Sequence, residues 1–145
     1  PRPHRQPSRR LDADLGGRVR LIGFDLTSTQ ARPGEEIPLT LYWKVTAPFD
    51  RDYTVFVHLL DEGEAMAGQG DGPPMQGSYP TSFWGSDELL VDKHMLRVRE
   101  DASLGRDRLC IGLYDPRSGQ RLPVLDERGA TVGDRVLLGE IDVIK

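Results

Sequence analysis

The strongest constraint on the fold comes from residues 52–61, DYTVFVHLLD, which are apolar on both sides of an alternating pattern. Successive side chains of a β-strand point to opposite sides. Val55 and Val57 therefore share one side. Phe56 and Leu60 share the opposite side. A strand that is apolar on both sides has to be covered on both sides, so this run predicts a central strand.

Further alternating runs surround this strand, and many of the 16 glycines and 11 prolines separate them. Apolar residues on a period of two indicate half-buried strands, whereas a helix repeats every three to four residues. The additional predicted strands are residues 19–28, 36–47, 64–69, 89–99, 108–114, 120–125 and 135–144. They predict an all-β fold of two antiparallel sheets packed face to face, an immunoglobulin-like β-sandwich with a jelly roll as the alternative. The predicted core contains Leu41, Trp43, Val55, Val57, Leu96 and Ile111.

The 145 residues suit one domain with its own core. Residues 1–17, PRPHRQPSRRLDADLGG, are rich in proline and arginine, and they predict a disordered basic linker before a sandwich domain at 18–145. Residues 1–20 carry a charge of +4, and the remainder carries −8. Nucleic-acid binding depends on neutralising phosphates with Lys and Arg, so the acidic body argues against such a partner.

Catalytic and metal-binding motifs are missing from the sequence. Cys110 is the single cysteine, which excludes an intrachain disulfide and a cysteine-rich zinc site. His58 and His94 lie in predicted strands and have no metal-binding spacing. The sequence therefore predicts no enzyme, no catalytic residue, no metal and no cofactor. A metal-dependent hydrolase remains an alternative if those two histidines meet across paired strands.

An acidic stretch follows the central strand and contains Asp61, Glu62, Glu64 and Asp71. It lacks the ligand rhythm of an EF-hand loop. We therefore favour a solvated hairpin and loop over a calcium site.

The long loop at residues 70–87, GDGPPMQGSYPTSFWGSD, is the most informative segment for function. Loops of this length are usually functional or packed down by their own side chains. Tyr79, Phe83 and Trp84 could form an aromatic platform for sugar rings, with Asp71 as a polar neighbour. Alternatively, Tyr79 and Trp84 could anchor the loop to the sandwich, which is the interpretation that we favour.

Several short motifs are shared with one kind of domain. They are Arg32-Pro-Gly, Leu39-Thr-Leu-Tyr-Trp43, Asp52 to Asp61, Gln69-x-Asp71, Gly77-x-Tyr79-Pro-Thr81, Trp84, Asp92, Gly112-Leu-Tyr-Asp115 and Gly119-x-Arg121-Leu-Pro123. Over residues 19–143 the chain resembles the C-terminal extracytoplasmic domain of bacterial polytopic membrane glycosyltransferases of the protein-mannosyltransferase-like type. Asp87 and Asp107 depart from that pattern, which favours a glycine and an aromatic residue at these places.

The resemblance implies a non-catalytic accessory domain on the extracytoplasmic side, tethered to the membrane through its parent chain. Transfer chemistry would belong to the membrane-embedded part. Such a domain, expected to be monomeric, would contact a glycan, an acceptor or a partner domain of the same polypeptide. The candidate ligand-binding residues are Asp71, Tyr79, Phe83, Trp84 and Arg121. A purely structural or protein-interaction domain without a small ligand is the main alternative.

Overall fold

The computed structural model describes residues 6–145. The all-β class is confirmed, with 52% of residues in strands and 5% in short helical turns. The strands in the described part are β1 (Arg9–Leu15), β2 (Val19–Leu26), β3 (Gln30–Ala31), β4 (Glu36–Val45), β5 (Thr54–Leu60), β6 (Met66–Gln69), β7 (Leu89–Val98), β8 (Gly105–Tyr114), β9 (Val124–Leu125), β10 (Thr131–Gly133) and β11 (Val136–Val143). Two single 3-10 turns, Pro74–Gly77 and Thr81–Phe83, lie between β6 and β7.

Hydrogen bonds join the described strands into one curled sheet of eleven, in the order β10-β9-β1-β2-β4-β7-β6-β5-β8-β11-β3. The pairing is antiparallel except between β11 and β3. The sheet is therefore continuous, where the sequence predicted two separate sheets. One half, β2-β4-β7, and the other half, β5-β8-β11, enclose a single core.

Short strand β6 is the seam between these halves. On one side it pairs with β5 through His58↔Gln69, Leu59↔Gly68 and Leu60↔Met66. On the other side only Gly68 and Gln69 pair with β7. Beyond Gln69 the backbone hydrogen bonds run to β5, since Gly70 N and Gly72 N donate to carbonyls of β5. The strand pairing with β7 ends at Gln69. The two halves can therefore diverge around the core.

The predicted core is confirmed. Leu41, Trp43, Val55, Val57, Leu96 and Ile111 are all fully buried within one apolar cluster. The central-strand prediction for residues 52–61 is also confirmed, because Val55 and Val57 are buried on one side of β5 and Phe56 and Leu60 on the other. Each large apolar side chain buried in this way contributes about 1.5–3 kcal/mol to the free energy of unfolding.

The prediction of a disordered linker over residues 1–17 is wrong for residues 9–15, which form β1 and pair with β2. Residues 1–5 lie outside the described residues. The reason is a hairpin at Gly16 and Gly17, whose φ angles of 65° and 70° suit glycine in a tight turn. Leu15 on this hairpin is fully buried. Arg10, Asp12 and Asp14 alternate with Leu11, Ala13 and Leu15 along β1, and these charged residues hid the strand pattern.

Residues 120–125 close the open side of the curled sheet. Leu122 N donates to Leu113 O at the end of β8, at 2.8 Å. Val124 then pairs with Leu15 of β1. One short segment thus bridges strands from both halves, which seals the core at that side.

Candidate functional site

A broad concavity lies on the outer face of β4 and β7, at the β6 seam. We call it the outer-face groove. Its volume is about 940 Å³, within the usual range for ligand sites. It is lined by Thr27, Glu36, Pro38, Leu39, Thr40, Gln69, Gly70, Asp71, Gly72, Pro73, Gln76, Lys93, His94, Met95 and Arg97.

The groove floor consists of side chains that alternate with core residues along β4 and β7. The cross-strand pairs are Glu36↔Arg97, Pro38↔Met95 and Thr40↔Lys93. Arg97 Nη2 lies 2.9 Å from Glu36 Oε2. The two residues of each pair lie directly opposite each other. In the order given, the pairs supply an ion pair, an apolar contact surface, and a hydroxyl beside an ammonium group. Such a floor can both donate and accept hydrogen bonds.

The wall of the groove is the chain that leaves β6. Gly70 passes so close to β7 that a Cβ at this position would lie 2.4 Å from Met95 O, inside the contact distance of backbone atoms. Only glycine permits this approach. The wall is therefore fixed against the floor by backbone packing, and it brings Asp71 and Gln76 to the groove.

Asp71, a predicted site residue, lines the groove and also fastens its wall. Its Oδ1 accepts from Val57 N at 2.9 Å, and its Oδ2 accepts from Gln69 Nε2 at 3.1 Å. His58 Nε2 lies 3.4 Å from Oδ1. Burial alone would raise the pKa of Asp71, but these partners outweigh burial and lower the pKa below its usual value. Asp71 is therefore an ionised side chain that joins β5 to the groove.

Asp92 holds the loop at residues 70–87 from beneath. It is fully buried on the core side of β7, and three donors or potential donors surround its carboxylate. Met75 N donates to Oδ1 at 2.7 Å, Trp43 Nε1 donates to Oδ2 at 3.1 Å, and His94 Nε2 lies 2.7 Å from Oδ2. Met75 and Gln76 adopt φ angles of 57° in this turn, which is unusual for residues with side chains. The Asp92 carboxylate thus compensates for a strained turn.

Trp84 anchors the same loop to the core. Only 3% of its surface is exposed, and its Nε1 donates to Tyr79 O at 2.9 Å. Its ring packs edge-on against Phe49 at a centroid distance of 5.5 Å and lies 6.5 Å from the ring of Trp43. The structure therefore favours the anchor interpretation for Trp84 over a sugar platform.

Tyr79 and Phe83 have different environments. Tyr79 is half-buried, and its hydroxyl donates to Glu88 Oε1 at 2.5 Å, which raises the pKa of Tyr79. Phe83 is 70% exposed. The two side chains do not form an exposed aromatic pair, so Phe83 is the one exposed ring of this loop.

Arg121 lies on the outer face of the other half of the sheet. Its guanidinium carbon is 4.1 Å from the ring centroid of Phe56, a cation–π contact. The Phe56 ring in turn lies 4.8 Å from the ring of His58, which contacts Asp71. Of the five predicted site residues, Asp71 and Arg121 do not touch each other but are linked by a chain of contacts through His58 and Phe56. Tyr79, Phe83 and Trp84 form a separate group at the loop.

The two strand histidines lie on different networks. His58 contacts Asp71, and His94 contacts Asp92. Within residues 6–145, no group of three or more His, Cys, Asp or Glu side chains is arranged to hold a metal ion. Cys110 is buried, and burial raises the pKa of its thiol. Among these same residues, no helix is long and apolar enough to cross a membrane.

Sequence reasoning missed most of the groove. Thr40 and Lys93 lie in two predicted strands and Gln76 lies in the long loop, but no sequence motif singles them out. Their proximity depends on β4 pairing with β7 and on the path of residues 70–76. The available signal was a few polar residues on the outward-facing side of each of the two strands. The sequence of either strand alone does not show that β4 pairs with β7.

Neither a protein-family model nor a curated protein matches the chain. Among solved structures, it resembles the alkylpurine DNA glycosylase AlkC of Pseudomonas fluorescens, bound to DNA containing an abasic site analog, with a TM-score of 0.52 and 14% identity. The match covers 90% of this chain but 31% of AlkC, so the chain spans about a third of that protein. A CaDoc0917–CaCohA2 complex matches with a TM-score of 0.32 and 14% identity, over 83% of this chain and 98% of that chain. At these identities the likeness to AlkC shows the fold alone, and the second match carries no argument.

Proposed function

We propose that this chain is a non-catalytic accessory domain that binds an extended, uncharged glycan in the outer-face groove. The observation that carries the proposal is the groove itself, with a volume of about 940 Å³ and a floor of opposed cross-strand pairs. Sugar hydroxyls both donate and accept hydrogen bonds. Thr40, Gln69 and Gln76 can do the same.

The charges of the groove support an uncharged ligand. Glu36 and Asp71 are acidic, and Lys93 and Arg97 are basic. Glu36 and Arg97 are already paired with each other. Asp71 is engaged with β5, and the balanced set gives neither a cationic nor an anionic ligand an advantage.

Pro38, Met95 and Pro73 supply the apolar part of the groove. Their side chains offer aliphatic surface against which the C–H face of a sugar ring can pack. None of the described lining residues is Phe, Tyr or Trp, which predicts weak binding that depends on several sugar units. An extended chain therefore fits better than a single sugar.

The wider context is proposed on the motifs shared with extracytoplasmic domains of membrane glycosyltransferases. In that setting the domain is tethered outside the membrane by its parent chain and presents glycan or acceptor to a membrane-embedded transferase. The curled sheet is then an immunoglobulin-like sandwich whose two halves remain joined at β6. The joined halves and their shared core support this assignment.

A glycan array followed by calorimetric titration of the best ligand tests the binding proposal. We expect Lys93→Ala and Gln76→Ala, which remove groove donors, to weaken binding about two- to tenfold each, since one hydrogen bond contributes roughly 0.5–1.5 kcal/mol. Lys44→Ala is the matched control, because Lys44 lies on the outer face of β4 outside the groove. Binding that responds equally to Lys93→Ala and Lys44→Ala would contradict the groove as the site.

The alternative of a structural or protein-interaction domain makes a different prediction for the same experiment. It expects no glycan to bind at any concentration. In this alternative, the exposed Phe83 ring is the side chain of the loop that a protein partner would contact. A Phe83→Ser variant that loses association with the parent chain, while the array stays negative, would support this alternative.

A further inference from the structure

One buried polar atom in the described part of the chain has no hydrogen-bond partner, and it is Asp107 Oδ2. Asp107 lies in β8 and is 3% exposed. Buried carboxylate oxygens are almost always satisfied, and an orphan calls for an explanation such as a water or an ion.

A second carboxylate faces Asp107 across the sheet. The β5–β8 register runs from Thr54↔Tyr114 to Leu60↔Arg108, and its continuation places Asp61 opposite Asp107. Both lie on the core-facing side, because Leu59 and Leu109 are buried core residues of the same faces. Directly opposed Cβ atoms are about 4.5–5.5 Å apart, and like charges in that position are destabilising.

Asp61 has one oxygen committed and one available. Its Oδ1 accepts from Gly63 N and Ala65 N, each at 2.9 Å, in the β5–β6 turn. No donor from residues 6–145 is recorded at its Oδ2. The pair therefore presents two carboxylate oxygens, one on each strand, that the described protein leaves without a donor.

Among residues 6–145, no basic side chain forms an ion pair with Asp61 or Asp107. Asp61 lines a cavity of about 380 Å³ together with Arg99, Asp101 and Ser103. The Arg99 guanidinium is engaged by Asp101 at 2.8 Å. The pKa of Asp107 is raised, first by burial and then by Asp61, with no basic residue opposing the shift.

We propose that Asp61 and Asp107 bind a hard divalent cation of the calcium class at the end of the β5–β8 pair. Oxygen is the only ligand type that the two side chains offer, and calcium takes six to eight oxygens from carboxylates, carbonyls and water. Two carboxylates balance its charge. The cavity lined by Asp61 and Ser103 lies on the Asp61 side of the pair and leaves room for water to complete the coordination.

With only two carboxylates, the site should be weak. We expect a dissociation constant on the order of 10⁻⁴–10⁻³ M, which is the range of extracellular calcium modules. Bound cation would join the β5–β6 hairpin to β8 and remove the repulsion between the two carboxylates. This inference does not depend on glycan binding in the outer-face groove.

Thermal unfolding of the whole chain at pH 7, in EDTA and in 10 mM CaCl₂ or MgCl₂, tests the site. We expect calcium to raise the Tm of the wild-type protein by about 3–8 °C and magnesium to raise it less. The Asp107→Asn variant should lose at least two thirds of the calcium shift, although it keeps the shape of the side chain. Calorimetric titration with CaCl₂ should lose its binding heat in the same variant.

Asp126→Asn is the matched control for Asp61→Asn. Asp126 Oδ1 accepts from Arg128 N and Ala130 N in the same spacing as the Asp61 turn, so both substitutions replace a turn-capping carboxylate by an amide whose Oδ1 can still accept. Only Asp61→Asn should lose the calcium response. A wild-type Tm that is unchanged by calcium would overturn the proposal and leave a shared proton as the solution for this pair. An unaltered response in Asp107→Asn would overturn it as well.

Discussion

Two buried carboxylates occupy equivalent positions on the core-facing sides of two strands, yet their surroundings differ. Asp92 of β7 is fully buried, with Trp43 Nε1, Met75 N and His94 Nε2 around it. Asp107 of β8 is nearly as buried, but one of its oxygens has no partner. The loop at residues 70–87 covers the first, and the β5–β6 turn lies beside the second.

The difference teaches what a buried charge does in each region. Removing a carboxylate from water costs several kcal/mol, and hydrogen bonds must offset that cost. At Asp92 they do, and the result is a fixed loop that forms one wall of the groove. At Asp107 the described residues supply no hydrogen bond to Oδ2, so the cost of burying this carboxylate is not offset. A bound proton or cation can offset it.

The Asp92→Ala substitution is expected to change stability the most. It leaves the Trp43 and Met75 donors unsatisfied in the interior, and we expect it to lower the free energy of unfolding by about 3–5 kcal/mol. Urea denaturation measures the change. Asp134→Ala, at an exposed ion pair, should change stability by less than about 0.5 kcal/mol. A cost below 1 kcal/mol at Asp92 would show that the loop does not depend on it.

The Trp84→Phe substitution probes the second anchor of the same loop. It removes the hydrogen bond to Tyr79 O and part of the packing with Phe49, so we expect a loss of about 1–2 kcal/mol. Near-ultraviolet circular dichroism should change along with the denaturation midpoint. An unchanged midpoint would mean that the loop is held from Asp92 alone.

The contrast between Asp92 and Asp107 can also be tested through the effect of Asp107 on the pH dependence of stability. Because its pKa is raised in the folded state, its favourable contribution is present at low pH and is lost as pH rises through that folded pKa. In EDTA at pH 7, Asp107→Asn should therefore be more stable than the wild type, because an uncharged amide avoids the penalty that burial and Asp61 place on the charged carboxylate. The advantage should vanish toward pH 4. Denaturation at pH 4 and pH 7 measures this difference in stability. A variant less stable than the wild type at pH 7 would contradict the claim that the Asp107 carboxylate is unsatisfied in the folded protein.

The smallest effect is expected at Phe83. It is exposed and adjacent in sequence to the buried Trp84, so Phe83→Ala should change the free energy of unfolding by less than about 0.5 kcal/mol. Thermal unfolding is sufficient to check this. A loss comparable to that of Trp84→Phe would place Phe83 among the anchors of the loop.

Local alternation was enough to identify the core and most of the long strands. Trp43 and Ile111 were placed inside from their own segments, because a period of two states which side of a strand is apolar. Trp84 was correctly favoured as an anchor, since a long loop needs buried contacts. These properties depend on neighbouring residues in the chain.

What escaped prediction depends on which strands become neighbours. The groove requires Thr40 and Lys93 to be opposed, and the carboxylate pair requires Asp61 to face Asp107. Neither register can be obtained from one strand alone. Strand β1 was missed for a different reason, because its charged outer side masked Leu11, Ala13 and Leu15.

The parallel pairing of β3 with β11 has a consequence for biosynthesis. Gln30 and Ala31 find their partners, Asp142 and Val143, about 110 residues later in the chain. At a translation rate of about 5–20 residues per second, the ribosome needs roughly 5–20 s to deliver them. During that interval this edge of the nascent sheet is unprotected, so chaperone capture in the cell should be strongest before β11 emerges.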